Sequence, residues 1–188
     1  MNDEGQFESA ASAVAFALNF SGGSYQRPLI NRLATPSAMG NNLGGLDRAA
    51  QVGMIRAEMA KMGVIPESFL IASKAPHKLP CSCGRPCCTK SRPNTEWQQA
   101  IHLLVNHTRD SLGLCAHNYN LRKEIIFRYF SEQIPISKIA TTCHVNRDTA
   151  SVHTSQIYKA LKKPEHQAWE DIEIRLSNIG MLEKTETT

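Results

Sequence analysis

The sequence predicts a mainly α-helical protein, with a helical N-terminal region, a cysteine-rich loop and a helical C-terminal domain. Three observations predict it. Aromatic residues make up only 6% of the 188-residue chain, and its apolar set is rich in Ala, Leu and Ile, a composition that favours helix over strand. Apolar residues recur at three- and four-residue spacing in several separate stretches, the pattern of helices with one buried face. Capping residues and glycines stand at the ends of those stretches, as in Asn94 to Gly113 and at Gly63. The length allows one domain or two small ones with a real core. The expected organisation is a flexible segment over 1–24, a helical region over 25–93 that includes the basic cysteine loop 74–93, a helical domain over 94–182, and a tail over 183–188.

Near the N-terminus, Ala11 to Phe20 suits a short apolar helix ended by Gly22-Gly23, as a docking segment, a dimer contact or a frayed end. Tyr25 to Gly45 holds Pro28, Pro36, Gly40, Gly44 and Gly45 and reads as loop, with a turn at most over Leu29 to Leu33. Leu46 to Gly63 is a firmer helix, with Ala49, Val52, Ile55, Met59 and Met62 on one face and Met54 alongside. Gly53 inside it costs about 1 kcal/mol relative to alanine. Pro66 to Ala75 is a shorter helix with Phe69, Leu70 and Ala72 apolar.

The next stretch, APHKLPCSCGRPCCTKSRPN, carries Cys81, Cys83, Cys87 and Cys88, with Lys74, Lys78, Arg85, Lys90 and Arg92 in or beside it. Four thiolates this dense suit tetrahedral Zn²⁺, and neighbouring cations favour the thiolate form that binds metal. A structural zinc would give one shape to a loop interrupted by Pro80, Gly84, Pro86 and Pro93. The spacing C-x-C-x3-C-C resembles a shortened SEC-C zinc motif. That shortening leaves His77, Cys115 and His117 as alternative ligands, and a redox-sensitive loop or unliganded thiols as the readings without metal.

Asn94 caps a helix whose buried face is Trp97, Ala100, Ile101, Leu104 and Val105, and which runs toward Leu112. His102 and His107 lie about 140° apart around it and read as two separate, mostly exposed histidines. Leu121 to Glu132 is the next helix, with Ile125, Ile126, Tyr129 and Phe130 on one side. Pro135 and Ser137 start a short helix with Ile139 and Ala140 inward, Cys143-His144-Val145 makes a turn, and Asn146 caps the helix Arg147 to Leu161. Pro164 then fits the first turn of a last, acidic helix over Glu165 to Leu176, with Trp169, Ile172 and Leu176 packing inward and Glu165, Glu170, Asp171 and Glu173 elsewhere.

Residues 121–161 read as a helix-turn-helix. Ala140 is small where the first helix crosses the second, and Val145 seals the corner. Ala150, His153 or Ile157, and Leu161 supply the inner stripe of the second helix. Its outer side offers Arg147, Asp148, Ser151, Thr154 and Ser155 to base edges and phosphates. Ile139, Ala140, Val145, Asn146, Thr149, Ala150, His153, Ile157 and Leu161 together resemble the helix-turn-helix of sigma-factor region four and the LuxR/GerE regulators. His144 stands where such turns carry glycine. The resemblance covers about forty residues and implies double-stranded DNA as partner. Lys138, Arg122, Lys123, Lys159 and Lys162, with Arg128, are the phosphate candidates.

Charge agrees with a polyanionic partner. Residues 25–163 hold 19 Lys and Arg against 8 Asp and Glu, while the two ends hold 2 basic and 9 acidic residues. No apolar run is long enough to span a membrane, and no secretory leader is visible, so a cytoplasmic protein is expected. No carboxylate pair with metal-binding spacing and no activated nucleophile is visible, so an enzyme is not expected. A cysteine loop joined to a module of this kind resembles, in architecture, the bacteriophage late-gene antitermination (Q) proteins. That resemblance implies action on host RNA polymerase and its sigma factor, with the cysteine loop facing polymerase or nascent RNA. A plain phage repressor or activator, and a small-terminase-like packaging protein, are the alternatives.

Overall fold

A computed structural model describes residues 7–23, 42–81, 83, 89–112, 118–131 and 134–183. The described residues are mainly helical, with α1 (Ala10–Gly23), α2 (Asn42–Lys61), α3 (Val64–Lys74), β1 (Lys78–Pro80), β2 (Ser91–Pro93), α4 (Thr95–Leu112), α5 (Tyr119–Phe130), α6 (Ile136–Thr142) and α7 (Arg147–Asn178). They fall into two compact units. One draws on Met1–Met62, Lys74–Asn94 and Asp171–Thr188, the other on Gly63–Ser73 and Thr95–Glu170.

In the first unit α1 packs on α2. Ala13, Val14, Ala17 and Leu18 of α1 are buried, as are Val52, Ile55 and Met59 of α2. The apolar N-terminal stretch is therefore a core helix, with alanines that permit close approach. Phe7 pairs with the chain near its C-terminus: its N–H donates to the Met181 carbonyl at 3.1 Å, and its carbonyl accepts from the Glu183 N–H at 3.0 Å. Helix α2 begins at Asn42, so the stretch through Gly45 is not all loop as its glycines suggested. It ends at Lys61, and Gly63 just beyond it has a φ of 92°, in the left-handed region that favours glycine.

The cysteine region contains a ladder that the sequence reading took for loop. Lys78, Leu79 and Pro80 pair antiparallel with Pro93, Arg92 and Ser91. The Cys81 N–H donates to the Lys90 carbonyl at 2.9 Å, and the Asn94 N–H donates to the His77 carbonyl at 3.0 Å. Asn94 also ties the base, its Nδ2 donating to the Pro76 carbonyl at 2.8 Å.

The second unit is built on α3, α4, α5, α6 and the first six turns of α7. All five apolar residues expected on the buried side of α4 are buried. The Trp97 indole N–H donates to the Ala72 carbonyl at 3.1 Å, and its ring meets Phe127 edge-on at 5.2 Å. Phe69 and Phe130 meet at 6.2 Å. On α5, Ile125 and Ile126 are fully buried, while Tyr129 and Phe130 are half-buried.

The last helix is where sequence and structure part most clearly. One helix of 32 residues runs from Arg147 to Asn178, with Pro164 inside it. An interior proline removes one ladder bond and crowds the carbonyl four residues back. The helix continues because its buried stripe does: Ala150, Thr154, Ile157, Leu161, Ala168, Ile172 and Leu176 are all buried and keep one helical phase across Pro164. Trp169, expected in the stripe, is half-buried beside it.

Candidate nucleic-acid interface

The site candidates cluster on α6, α7 and the turn between them, and that turn follows from backbone chemistry. Helix α6 is closed by a bond from the Val145 N–H to the Ala140 carbonyl at 3.0 Å and one from the His144 N–H to the Thr141 carbonyl at 3.3 Å. This pair of bonds is the Schellman closure, and it requires a left-handed residue at its centre. His144 supplies it, with φ 53°. The same closure ends α7, where Gly180 has φ 70°, its N–H donates to the Ser177 carbonyl at 3.0 Å, and the Met181 N–H donates to the Leu176 carbonyl at 3.0 Å. The first closure thus uses histidine where the second uses glycine. Asn146 then caps α7, its Oδ1 accepting from the Asp148 N–H at 3.0 Å.

Packing fixes which side of α7 faces out. Ala150, Ile157 and Leu161 are buried with Ile139 and Ala140 of α6. Ile157, rather than His153, supplies the third inward position, and His153 is half-buried. Centred about 140° around the helix from that stripe, Asp148, Ser151, Ser155, Lys159 and Lys162 are exposed and share an arc of about 80° at 100° per residue. Arg147 is exposed at the helix start, and Lys123 of α5 and Lys138 of α6 are exposed too.

Two predicted site residues do not belong to that surface. Thr154 is only 6% exposed, and its hydroxyl donates to the Ala150 carbonyl at 2.7 Å. A threonine in a helix satisfies its hydroxyl this way and presents its methyl to the core. Arg122 is 4% exposed, and its Nε donates to the Val105 carbonyl at 3.3 Å. It ties α5 to α4. Arg128 is half-buried, and its Nε and Nη1 have no hydrogen-bond partner among the described residues. Thr149, Val152, Gln156 and Lys163 are exposed on α7 as well.

A polar pin lies behind this surface. Glu165 of α7 accepts from the Tyr129 hydroxyl of α5 at 2.5 Å and from the Ser73 hydroxyl of α3 at 3.2 Å. Burial first, then the hydrogen bond to Glu165 and its negative charge, hold the Tyr129 phenol well above its usual range. Burial also raises Tyr158, against the lowering effect of Arg128, and its ring meets Tyr129 at 4.8 Å. The Cys143 thiol is pushed up by burial and by Glu124.

Of the metal candidates, Cys81 is half-buried at the end of β1 and Cys83 is exposed. Cys87, Cys88, Cys115 and His117 lie outside the described residues. His77 is half-buried beside the ladder. Among the described residues no group of three or more His, Cys, Asp or Glu stands close enough to hold a metal. Of the two histidines on α4, His102 is exposed and His107 half-buried. The ring Nδ1 of His102 lies 2.9 Å from the Tyr119 hydroxyl, and its Nε2 lies 3.1 Å from Asn106 Nδ2. No described helix is long and apolar enough to cross a membrane. No protein-family model, no curated protein and no solved structure matches the chain.

Proposed function

We propose that the chain is a sequence-specific DNA-binding regulator of transcription, with α6 and α7 as a helix-turn-helix and α7 as the helix that enters the major groove. The observation that carries this reading is the joint between them. A Schellman closure at His144 and Val145 and an asparagine cap at Asn146 orient α7 so that its apolar stripe is buried. Arg147, Asp148, Ser151 and Ser155 are exposed and would face base edges, with Lys159, Lys162, Lys138 and Lys123 for phosphates. The resemblance in architecture to phage antitermination proteins directs the proposal further, to a factor that binds DNA near a promoter and modifies host RNA polymerase and its sigma factor there. A packaging role is the alternative that keeps the DNA partner. The basic loop after β1 is proposed to hold a structural Zn²⁺ through Cys81, Cys83, Cys87 and Cys88 and to face polymerase or nascent RNA. The supporting observation is the Cys81–Lys90 bond, which closes the strand pair at the first of the four thiols.

The deciding experiment is transcription in vitro through a downstream terminator, on template carrying the native flanking DNA, with and without the protein. Readthrough that depends on an upstream site supports antitermination. A change in initiation alone makes the protein a repressor or activator, and DNA binding without either effect moves it to packaging. Arg147→Ala abolishes specific binding while leaving the fold intact; unchanged operator affinity would remove α7 from the recognition role. Cys83→Ser lowers bound zinc measured by atomic emission; unchanged zinc content refutes the ligand set.

A further inference from the structure

We infer that Val152 is a specificity-determining residue that reads the C5-methyl group of a pyrimidine in the major groove, an inference that rests on the DNA-binding reading of α7. Val152 is 56% exposed, and its neighbours one turn away, Asp148, Thr149, Ser155 and Gln156, are all exposed and polar. Folding gives no reason for a valine there. A β-branched residue supports a helix less well than alanine, and this one remains in water.

Its place on the helix does give a reason. Val152 borders the outward arc, about 40° around the helix from Asp148 and about 7.5 Å along the axis from Arg147. That is the N-terminal half of the helix, from which base edges are reached. Every other group on a major-groove base edge is a hydrogen-bond donor or acceptor, or a bare C–H. The pyrimidine C5-methyl is the apolar feature. A valine set against it buries two apolar surfaces. Set against a purine edge or the cytosine amino group, it leaves a polar atom without a partner, which costs more than the apolar contact gains. The same side chain therefore selects for a methylated pyrimidine and against other bases. Thymine and 5-methylcytosine carry the same methyl.

The test starts from the duplex that the wild-type protein selects out of a random pool. Each thymine is replaced singly by deoxyuridine, which lacks only the methyl, and affinity is measured by gel shift for wild type and Val152→Ala. At one position the wild type loses about fourfold, the equivalent of about 0.8 kcal/mol for one buried methyl, while Val152→Ala binds both duplexes equally. The alanine variant keeps the wild-type helical circular dichroism. Placing 5-methylcytosine at that position separates the sources: retained affinity shows that the methyl is read on either base, and lost affinity restricts the reading to thymine. Indifference of the wild type to every methyl, or an equal methyl effect in Val152→Ala, overturns the inference while leaving DNA binding intact. If no duplex is selected at all, the DNA-binding reading itself fails, and this inference with it.

Discussion

His144 offers the sharpest test of the turn on which the interface depends. Its side chain is exposed and its φ is 53°, so a substitution there acts on backbone conformation and little else. A non-glycine residue in the left-handed region costs about 1–2 kcal/mol. Glycine removes that cost but adds about 0.4–1 kcal/mol of unfolded-state entropy. His144→Gly is therefore expected to stabilise the protein by roughly 0.5–1 kcal/mol, a rise in Tm of about 2–4 °C per kcal/mol for a chain of this size. A β-branched residue tolerates positive φ least, so His144→Val should destabilise by about 1 kcal/mol or more. Gly180 provides the matched control. It occupies the same place in the same closure, and a Cβ added there meets nothing within 4 Å, so Gly180→Ala should cost about 1 kcal/mol from backbone strain alone. The assay is urea unfolding followed by circular dichroism. Opposite signs at His144→Gly and Gly180→Ala are the expected result. A glycine variant at 144 that is less stable than wild type, or a valine variant as stable, would show that the turn is not left-handed and would undo the placement of α7.

The other expectations concern what lies behind the interface. Tyr129→Phe removes a hydrogen bond to a carboxylate and should cost about 1.5–3 kcal/mol at neutral pH. Because the folded-state pKa of Tyr129 is raised, its contribution is fully present below the unfolded value of about 10 and is lost as pH rises above it. Wild-type stability should thus fall above pH 10 by up to about 1.36 kcal/mol per pH unit for this group, and Tyr129→Phe should show a shallower fall. A parallel alkaline decline in the two proteins would contradict this. Arg122→Ala should destabilise the fold by about 2 kcal/mol or more, whereas Thr154→Val should leave specific DNA binding unchanged. A loss of DNA affinity in a fully folded Arg122→Ala protein would return that residue to the interface. Pro164→Ala restores an N–H opposite the Ala160 carbonyl and should stabilise by about 1–3 kcal/mol; a lower Tm would mean that the packing of α7 requires the proline.

Much of the helical frame was legible because it rests on period alone. Trp97, Ala100, Ile101, Leu104 and Val105 announced the inner face of α4, and each is buried. The turn was legible for a different reason: Asn146 is a capping residue, and His144 occupied a position where a positive φ was needed. What stayed hidden needed tertiary information. Thr154 and Ser155 look alike as short polar residues, yet only Thr154 falls on the buried stripe. Arg122 looks like a phosphate ligand until the Val105 carbonyl of the neighbouring helix claims its Nε. The β1–β2 ladder is three residues long on each side and has a proline in each strand, so it carries no alternation that a sequence reading could detect. Asn42 opens α2 just ahead of two glycines that read locally as loop.

Pro164 shows how a local rule yields to packing. Its sequence neighbourhood, Lys162-Lys163-Pro164-Glu165, reads as the start of a new acidic helix, with Glu165 off its packing stripe. The buried stripe runs unbroken from Ala150 to Leu176, and a kinked or restarted helix would rotate half of it into water. Glu165 adds a second constraint. One residue beyond the proline it accepts hydrogen bonds from Tyr129 of α5 and Ser73 of α3, so the carboxylate holds α7 against two other helices where its own ladder is weakest. Arg147 lies about 27 Å away along the same helix at 1.5 Å per residue. A rotation of α7 about its axis at Glu165 would turn the outward arc of Asp148, Ser151 and Ser155 by the same angle. The pin and the proposed interface are thus parts of one helix, and the carboxylate of Glu165 sets the helix phase on which the proposed recognition surface depends.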